Sequence, residues 1–361
     1  MKKKLSKESE LMTKKSFKLK EDDFSRVFQM ISEAQDKVWR QVNGTLISLY
    51  WNVGEYISQK STSDGWGQGV VEDLSQFIIS KDRGVKGFSA RNIWRMKQFY
   101  ETYKDHDKLS TLLTEVSWSN HLHILSKTKT FEEKGYYLEL CVSHLYSARD
   151  LARLIDSSAY ERTLLADIKL STPLTEFPVD TTGVFKDIYM FDFLGLSDNH
   201  QENTLRKALL NNFKHFLLEL GPDFTLIGEE YTVQVGMKDY RIDLLMHHRG
   251  LNCLIAIELK VTEFQPEHLG KVQFYLEALD RNVKKPHENP SIGILICKTR
   301  DEEVVKSALS RNVSPALIAE YETKLIDRKL LQKRLHEMEL LLEQDDTHKL
   351  EREENSYLKL D

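Results

Sequence analysis

Nowhere in the 361 residues does an apolar run approach the roughly 20 residues needed to carry a helix across a bilayer, which argues against an integral helical membrane protein. The lysine-rich start has neither an apolar core nor a small-residue cleavage site, so it lacks the form of a signal peptide and is expected to be a flexible basic tail over residues 1–21. Cysteine is scarce. Cys141, Cys253 and Cys297 are odd in number, far apart and set among apolar neighbours, which argues against a disulfide framework or zinc site and for reduced thiols in a cytoplasmic protein. Positive charge is not in excess either: the formal net charge is −5, so any nucleic-acid surface must come from locally clustered basic residues. What is present, 40% apolar and 30% charged residues, suits a chain folded in water, and its length suggests two or three cores.

From Asp22 to about Glu161 the apolar residues recur with helical period, as in Val27, Ile31, Ala34, Val38, Val42, Ile47, Trp51 and Ile57, with Gly54 and Gly65 as candidate interruptions. An all-α region over 22–165 is therefore expected. The pattern fails around Pro173, Pro178 and Asp180 to Gly183, which suggests a linker over 166–184. Beyond it the texture becomes α/β. A helix from Glu202 to Leu220 should stop at Gly221-Pro222, strands are expected at Tyr231–Val235, Tyr240–His247, Leu251–Val261 and Ser291–Cys297, and helices at Pro266–Asp280 and Asp301–Leu309. This α/β domain spans 185–323, followed by a charged helix with a leucine stripe and a tail over 324–361.

The helical half repeats itself. Phe88-Ser89-Ala90-Arg91-Asn92-Ile93-Trp94-Arg95-Met96 is echoed by Tyr146-Ser147-Ala148-Arg149-Asp150-Leu151-Ala152-Arg153-Leu154. In each copy the serine can cap a helix, the aromatic before it can staple the first turn, and two arginines four residues apart share a face. Each copy follows another helical stretch, Val70–Ser80 and Phe131–Ser143, which gives the outline of helix-turn-helix-like units. Such a unit sets the start of its second helix in the major groove. Arg91, Asn92, Arg95, Lys97, Arg149 and Arg153 are accordingly the candidate DNA-binding residues, the plainer alternative being a solvated face or internal ion pairs.

The chemistry concentrates in Ile242-Asp243-Leu244-Leu245 and Ile257-Glu258-Leu259-Lys260. On a strand, alternation sends Glu258 and Lys260 to one side and Ile257, Leu259 and Val261 to the other. A charged pair on a central strand is costly unless it is paired or binds something. If the Asp243 strand lies alongside, Asp243 and Glu258 with the Leu259 carbonyl make a hard oxygen set suited to Mg²⁺ or Mn²⁺. Lys260 can then orient a nucleophile or balance charge on a phosphodiester.

Together with Gly65-Trp66-Gly67, Lys86 to Asn92, Phe193-Leu194-Gly195-Leu196, Phe216 to Gly221, Phe274-Tyr275-Leu276 and Glu288 to Gly293, these segments resemble the YhcG-type family of bacterial PD-(D/E)xK nucleases over most of the chain. The resemblance implies a restriction-endonuclease-like fold for the second half, a divalent metal, and Asp243, Glu258 and Lys260 as the core triad. Where that family carries Glu this chain has Arg206, so Glu202, one helical turn earlier, becomes the candidate additional acid, with Glu229 and Glu230 as further ones. Lys271 stands where the family has Gln and joins the candidate nucleic-acid-binding residues, and Gln273, two residues on, is the candidate helper. The expected activity is metal-dependent DNA cleavage, in restriction, repair, recombination or defence against mobile DNA, with a homodimer as a route to cutting two strands. The rivals are a catalytically weakened nuclease fold that binds or regulates nucleic acid, and a helical protein-interaction module.

Overall fold

A computed structural model describes residues 2–197 and 199–338 of the chain. It divides into two compact units after Ala152. The first is helical: α1 (Lys2–Ser63), α2 (Gln68–Lys81), α3 (Ala90–Tyr103), α4 (Asp107–Leu113), α5 (Trp118–Lys127), α6 (Phe131–His144) and the start of α7 (Ala148–Asp156). No proline occurs before Pro173 and no glycine before Gly44, so no proline breaks the long first helix and its only glycines, Gly44 and Gly54, fall in its second half. The stretch expected as a tail, 1–21, is accordingly helical from Lys2, because its Lys, Leu, Glu and Met residues favour helix. Gly54 does not interrupt α1. It sits where α3 crosses, and a Cβ there would lie 2.1 Å from the Met96 carbonyl oxygen.

The caps foreseen in the repeat are present. The Ser89 hydroxyl accepts from the Asn92 N–H (3.3 Å) and the Ser147 hydroxyl from the Asp150 N–H (3.3 Å), each closing one orphan donor of a helix start. Around α3 and α5 an aromatic core forms, with Phe99, Tyr103 and Trp118 enclosing the fully buried His121.

The second unit continues through α8 (Ala159–Leu164), β1 (Lys169–Leu170), α9 (Thr172–Thr175), β2 (Ile188–Met190), a 3-10 turn (Asp192–Leu194), α10 (Glu202–Asn211), α11 (Phe213–Leu220), β3 (Phe224–Val235), β4 (Lys238–His248), β5 (Cys253–Leu259), α12 (Pro266–Asn282), β6 (Ile292–Cys297), α13 (Glu302–Leu309) and β7 (Ala316–Glu322), with a last helix, α14, over 328–338. The remainder of the 324–361 stretch, from 339 on, lies outside the described residues.

The strands form one mixed sheet in the order β1-β7-β6-β5-β4-β3, with β2 also on β7. The pairs β3/β4 and β4/β5 are antiparallel, while β5/β6 and β6/β7 are parallel, the β5-to-β6 crossover being α12. One face packs Leu244, Ile257 and Ile294 against Leu205, Leu209 and Phe216 of α10 and α11. The other packs Leu245, Ala256 and Leu295 against Leu269, Val272 and Leu276 of α12. Burial on both faces explains why β5 and β6 read as nearly unbroken apolar runs. Gly293 on β6 lets α12 come close, since a Cβ there would stand 2.2 Å from Val272 Cγ1.

Three features differ from the sequence reading. The Glu202–Leu220 helix breaks at Asn212, whose side-chain amide donates to the Ala208 carbonyl (3.1 Å) and competes with the helical ladder. The 166–184 stretch is not free chain: β1 within it pairs with β7. Strand β7 itself was not foreseen because Ala, Leu and Glu favour helix, and burial in the sheet overrides that preference. All three cysteines are free and buried, and burial pushes each thiol up to about 12. Among the described residues no helix is long and apolar enough to cross a membrane.

Candidate active site

The site forms where the β4–β5 ladder stops. Regular pairing ends at Leu244 opposite Ile257. One step further the same register sets Asp243 against Glu258. There the Leu259 N–H donates to Asp243 Oδ2 (3.0 Å), so a side chain replaces the backbone acceptor. Asp243 is thereby fixed against the end of β5.

Glu258 is 1% exposed and ties both helical layers to this spot. Its Oε1 lies 3.0 Å from Lys260 Nζ and 2.5 Å from Lys271 Nζ on α12. Lys260 reaches back to Glu202, the first residue of α10, at 3.1 and 3.2 Å, and to the Leu259 carbonyl at 3.3 Å. The Lys260 backbone N–H meanwhile donates to the Ile296 carbonyl on β6 (2.8 Å), which holds this residue at the sheet's edge of the site.

Arg206, one turn along α10 from Glu202, completes the cluster. Its Nη1 lies 3.3 Å from Asp243 Oδ1 and its Nη2 3.0 Å from Glu230 Oε1 and 3.0 Å from Asn203 Oδ1. Glu230 has a left-handed backbone (φ 42°) on β3, and the register that pairs Glu229 with Leu244 and Tyr231 with Ile242 sets it opposite Asp243. Glu202, Glu230, Asp243 and Glu258 therefore face Arg206, Lys260 and Lys271, an arrangement with one more acid than base. Burial raises the Glu258 carboxyl above the usual range and the Asp243 charge adds to it, against the pull of Lys271 and Lys260. Burial works to lower Lys260, but Glu258 and Glu202 outweigh it and keep the ammonium more basic than usual, and Glu258 does the same for Lys271.

The structure thus brings together Asp243, Glu258, Lys260, Glu202 and the Leu259 carbonyl. Gln273 is not with them. Two residues beyond Lys271 it points some 200° around α12, and its amide bonds Asn312 instead. Glu229 is exposed on β3, and its neighbour Glu230 is the one that joins the cluster. Lys271, expected as a nucleic-acid-binding residue, instead pairs with Glu258, and Arg206 was not among the expected site residues: both ion pairs depend on strand register and on helix rotation, which no local spacing encodes.

In the helical unit Arg91 is exposed and Arg95 half-buried. Asn92 is committed internally, donating to the Gly87 carbonyl (2.5 Å) and accepting from Trp118 Nε1 (3.0 Å), and so is not poised to read a base. Lys97 pairs with Glu101 (3.0 Å) over the Trp94 ring. Arg149 is exposed, whereas Arg153 is taken up inside the second unit by Asp192 (2.8 Å) and the face of Phe193.

Against known families, residues 182–336 match the YhcG PDDEXK nuclease domain and residues 26–162 the DUF1016 N-terminal domain. The second half thus carries a YhcG-type PD-(D/E)xK nuclease domain and the helical half a DUF1016 N-terminal domain. A relative from Escherichia coli (strain K12), named "Putative nuclease YhcG", is 26% identical over 355 residues, covering 88% of this chain and 94% of that protein. A solved structure, that of a repair endonuclease from Pyrococcus abyssi, is similar at 17% identity and a TM-score of 0.25 over 36% of this chain, which spans about half (49%) of that protein. The YhcG nuclease-domain match contains the whole acid–base cluster, from Glu202 to Lys271, and the DUF1016 match contains both serine-capped helix starts.

Proposed function

We propose that this YhcG-type protein is a divalent-metal-dependent DNA endonuclease whose reaction centre is Asp243, Glu258 and Lys260, with Glu202 in support. The observation that carries this reading is Glu258 Oε2, a buried carboxylate oxygen with no hydrogen-bond partner among the described residues, beside Asp243 and Lys260. Leaving such an oxygen unmatched is costly unless a cation completes it.

Asp243, Glu258 and the Leu259 carbonyl are the oxygens that would hold Mg²⁺ or Mn²⁺. Among the described residues no three His, Cys, Asp or Glu side chains converge on one point, so the protein's share is two carboxylates and a carbonyl, a small set of the kind Mg²⁺ accepts while keeping waters and substrate oxygens. When bound, the ion supplies Lewis-acid polarisation of the phosphate and a more acidic water. The chain's own residues do the rest. Lys260, kept protonated by Glu258 and Glu202, offers its N–H groups to the attacking oxygen and to charge developing on the phosphate. Glu202 fixes where that ammonium points. Arg206, anchored by Glu230 and Asn203, balances Asp243 until the phosphodiester arrives. Exposed Arg91 and Arg149, with Arg95, are the helical half's contributions to backbone phosphates. Three buried thiols suit a reducing cytoplasm, and restriction, repair, recombination or defence against mobile DNA are the fitting roles.

A second reading, a nuclease fold retained for nucleic-acid binding, draws support from Arg206 and Lys271, which already neutralise both carboxylates. Cleavage of plasmid and linear DNA with Mg²⁺ or Mn²⁺ by the wild type, Lys260→Ala and Glu258→Gln separates the two. Metal-dependent cleavage abolished in both variants supports the endonuclease. Salt-sensitive DNA binding without cleavage supports the binding module.

A further inference from the structure

Helix α1 carries an apolar stripe that its own unit does not cover. Phe24, Phe28, Ile31, Val38, Val42 and Leu49 recur at intervals of three, four and seven residues and are between 44% and 71% exposed. The helix meets its unit through another side, where Ile47, Tyr50 and Ile57 are buried. At about 100° per residue, the charged residues of the same stretch, Arg26, Glu33, Asp36, Lys37 and Arg40, fall within an arc of about 100° opposite the stripe. An exposed face without charge on a helix with ample charge elsewhere is the pattern of a surface that is buried in the working assembly.

We propose that this face pairs α1 with α1 of a second copy of the chain. The period of the stripe is the 3–4 repeat of a coiled-coil seam, and a helix bearing the same seam is its own complement. The lack of charge at the seam removes the like-charge repulsion that would keep two copies apart. Area points the same way. Aromatic side chains of roughly 150–250 Å² and smaller aliphatic ones, between 36% and 71% exposed once the flanking Val27, Trp39 and Leu46 are included, leave on the order of 1,000 Å² per chain, so two copies bury about what a standard-size interface requires. Gln35 and Thr45 are the polar exceptions, and of the two Gln35, with its amide, selects the orientation. In a parallel pair it meets its own copy and the two amides bond each other, whereas in an antiparallel pair it faces apolar side chains and loses that partner.

Sedimentation of the full chain at tens of micromolar tests the pairing. The wild type should run at twice the monomer mass. V38E/V42E, altered at positions 61% and 63% exposed in one chain, should run as a folded monomer with association weakened on the order of 100-fold or more. Val38→Cys should form an interchain disulfide on mild oxidation, since the native thiols are buried and Val38 lies at the seam of a parallel pair. A wild-type monomer would overturn the proposal and give the stripe to a helix of another protein. A V38E/V42E dimer would place the contact elsewhere, and failure of V38C to cross-link would refute the parallel arrangement.

Discussion

Acid should weaken the helical unit through one residue, His121. The ring is 0% exposed among Phe99, Tyr103 and Trp118, and Nε2 lies 2.9 Å from the Leu113 carbonyl, so Nε2 carries the proton of the neutral ring. Nδ1 has no partner among the described residues, and a proton arriving there would bring a charge with no acceptor. Burial lowers the imidazole from 6.5 to about 4, against the smaller opposing effect of the Leu113 carbonyl. Between those values the unfolded chain binds the proton and the folded one does not, so stability is complete above pH 6.5 and is lost as pH falls towards 4. Each unit of pKa difference is worth about 1.4 kcal/mol, so the loss is about 2 kcal/mol at pH 5 and about 3 kcal/mol at the limit. The assay is urea unfolding read by tryptophan fluorescence, because Trp39, Trp51, Trp66, Trp94 and Trp118 all lie in the helical unit and report on it alone. His121→Gln keeps a donor for Leu113 and cannot titrate. It should lose this part of the pH dependence, and identical profiles for wild type and variant would refute the reasoning.

Glu219→Gln should destabilise the second unit by about 3–5 kcal/mol, because this buried carboxylate serves Arg162 (2.9 Å), Lys186 (3.2 Å) and the Met190 N–H (2.9 Å) at once. Thermal unfolding followed by circular dichroism measures it. Gly54→Ala should cost roughly 2 kcal/mol or more by driving a methyl into the Met96 carbonyl at the α1–α3 crossing, and tryptophan-detected unfolding is again the readout. Gln273→Ala should leave cleavage within about twofold of wild type, since its amide lies with Asn312, whereas Glu202→Gln should lower the rate by roughly 10-fold or more through misplacement of Lys260. Equal effects of the two variants would contradict the placement.

How much of this was legible depended on the range of the interaction. Alternation along one strand was enough to put Glu258 and Lys260 side by side, and the apolar runs around them announced a strand covered on both faces. Serine caps are equally local, and both appeared where the repeat implied them. Arg206 was visible only as a residue of unexpected charge, because its partners come from β3 and β4 and meet it only after the strands pair. The face presented by α12 decided between Lys271 and Gln273, and a two-residue difference in a helix reverses direction. Asn92 and Arg153 looked free for DNA because their internal partners, Trp118 and Asp192, lie far along the chain.

The bond from the Leu259 N–H to Asp243 has a bearing on how loss of function is read. Alanine at position 243 removes a charge and also a rung that fastens one strand to the next, so an inactive Asp243→Ala protein mixes a chemical defect with a mechanical one. Asparagine keeps an oxygen for that N–H and removes the charge alone. The gap between the two substitutions, measured in both unfolding and cleavage, separates what the side chain does for the reaction from what it does for the scaffold that presents it.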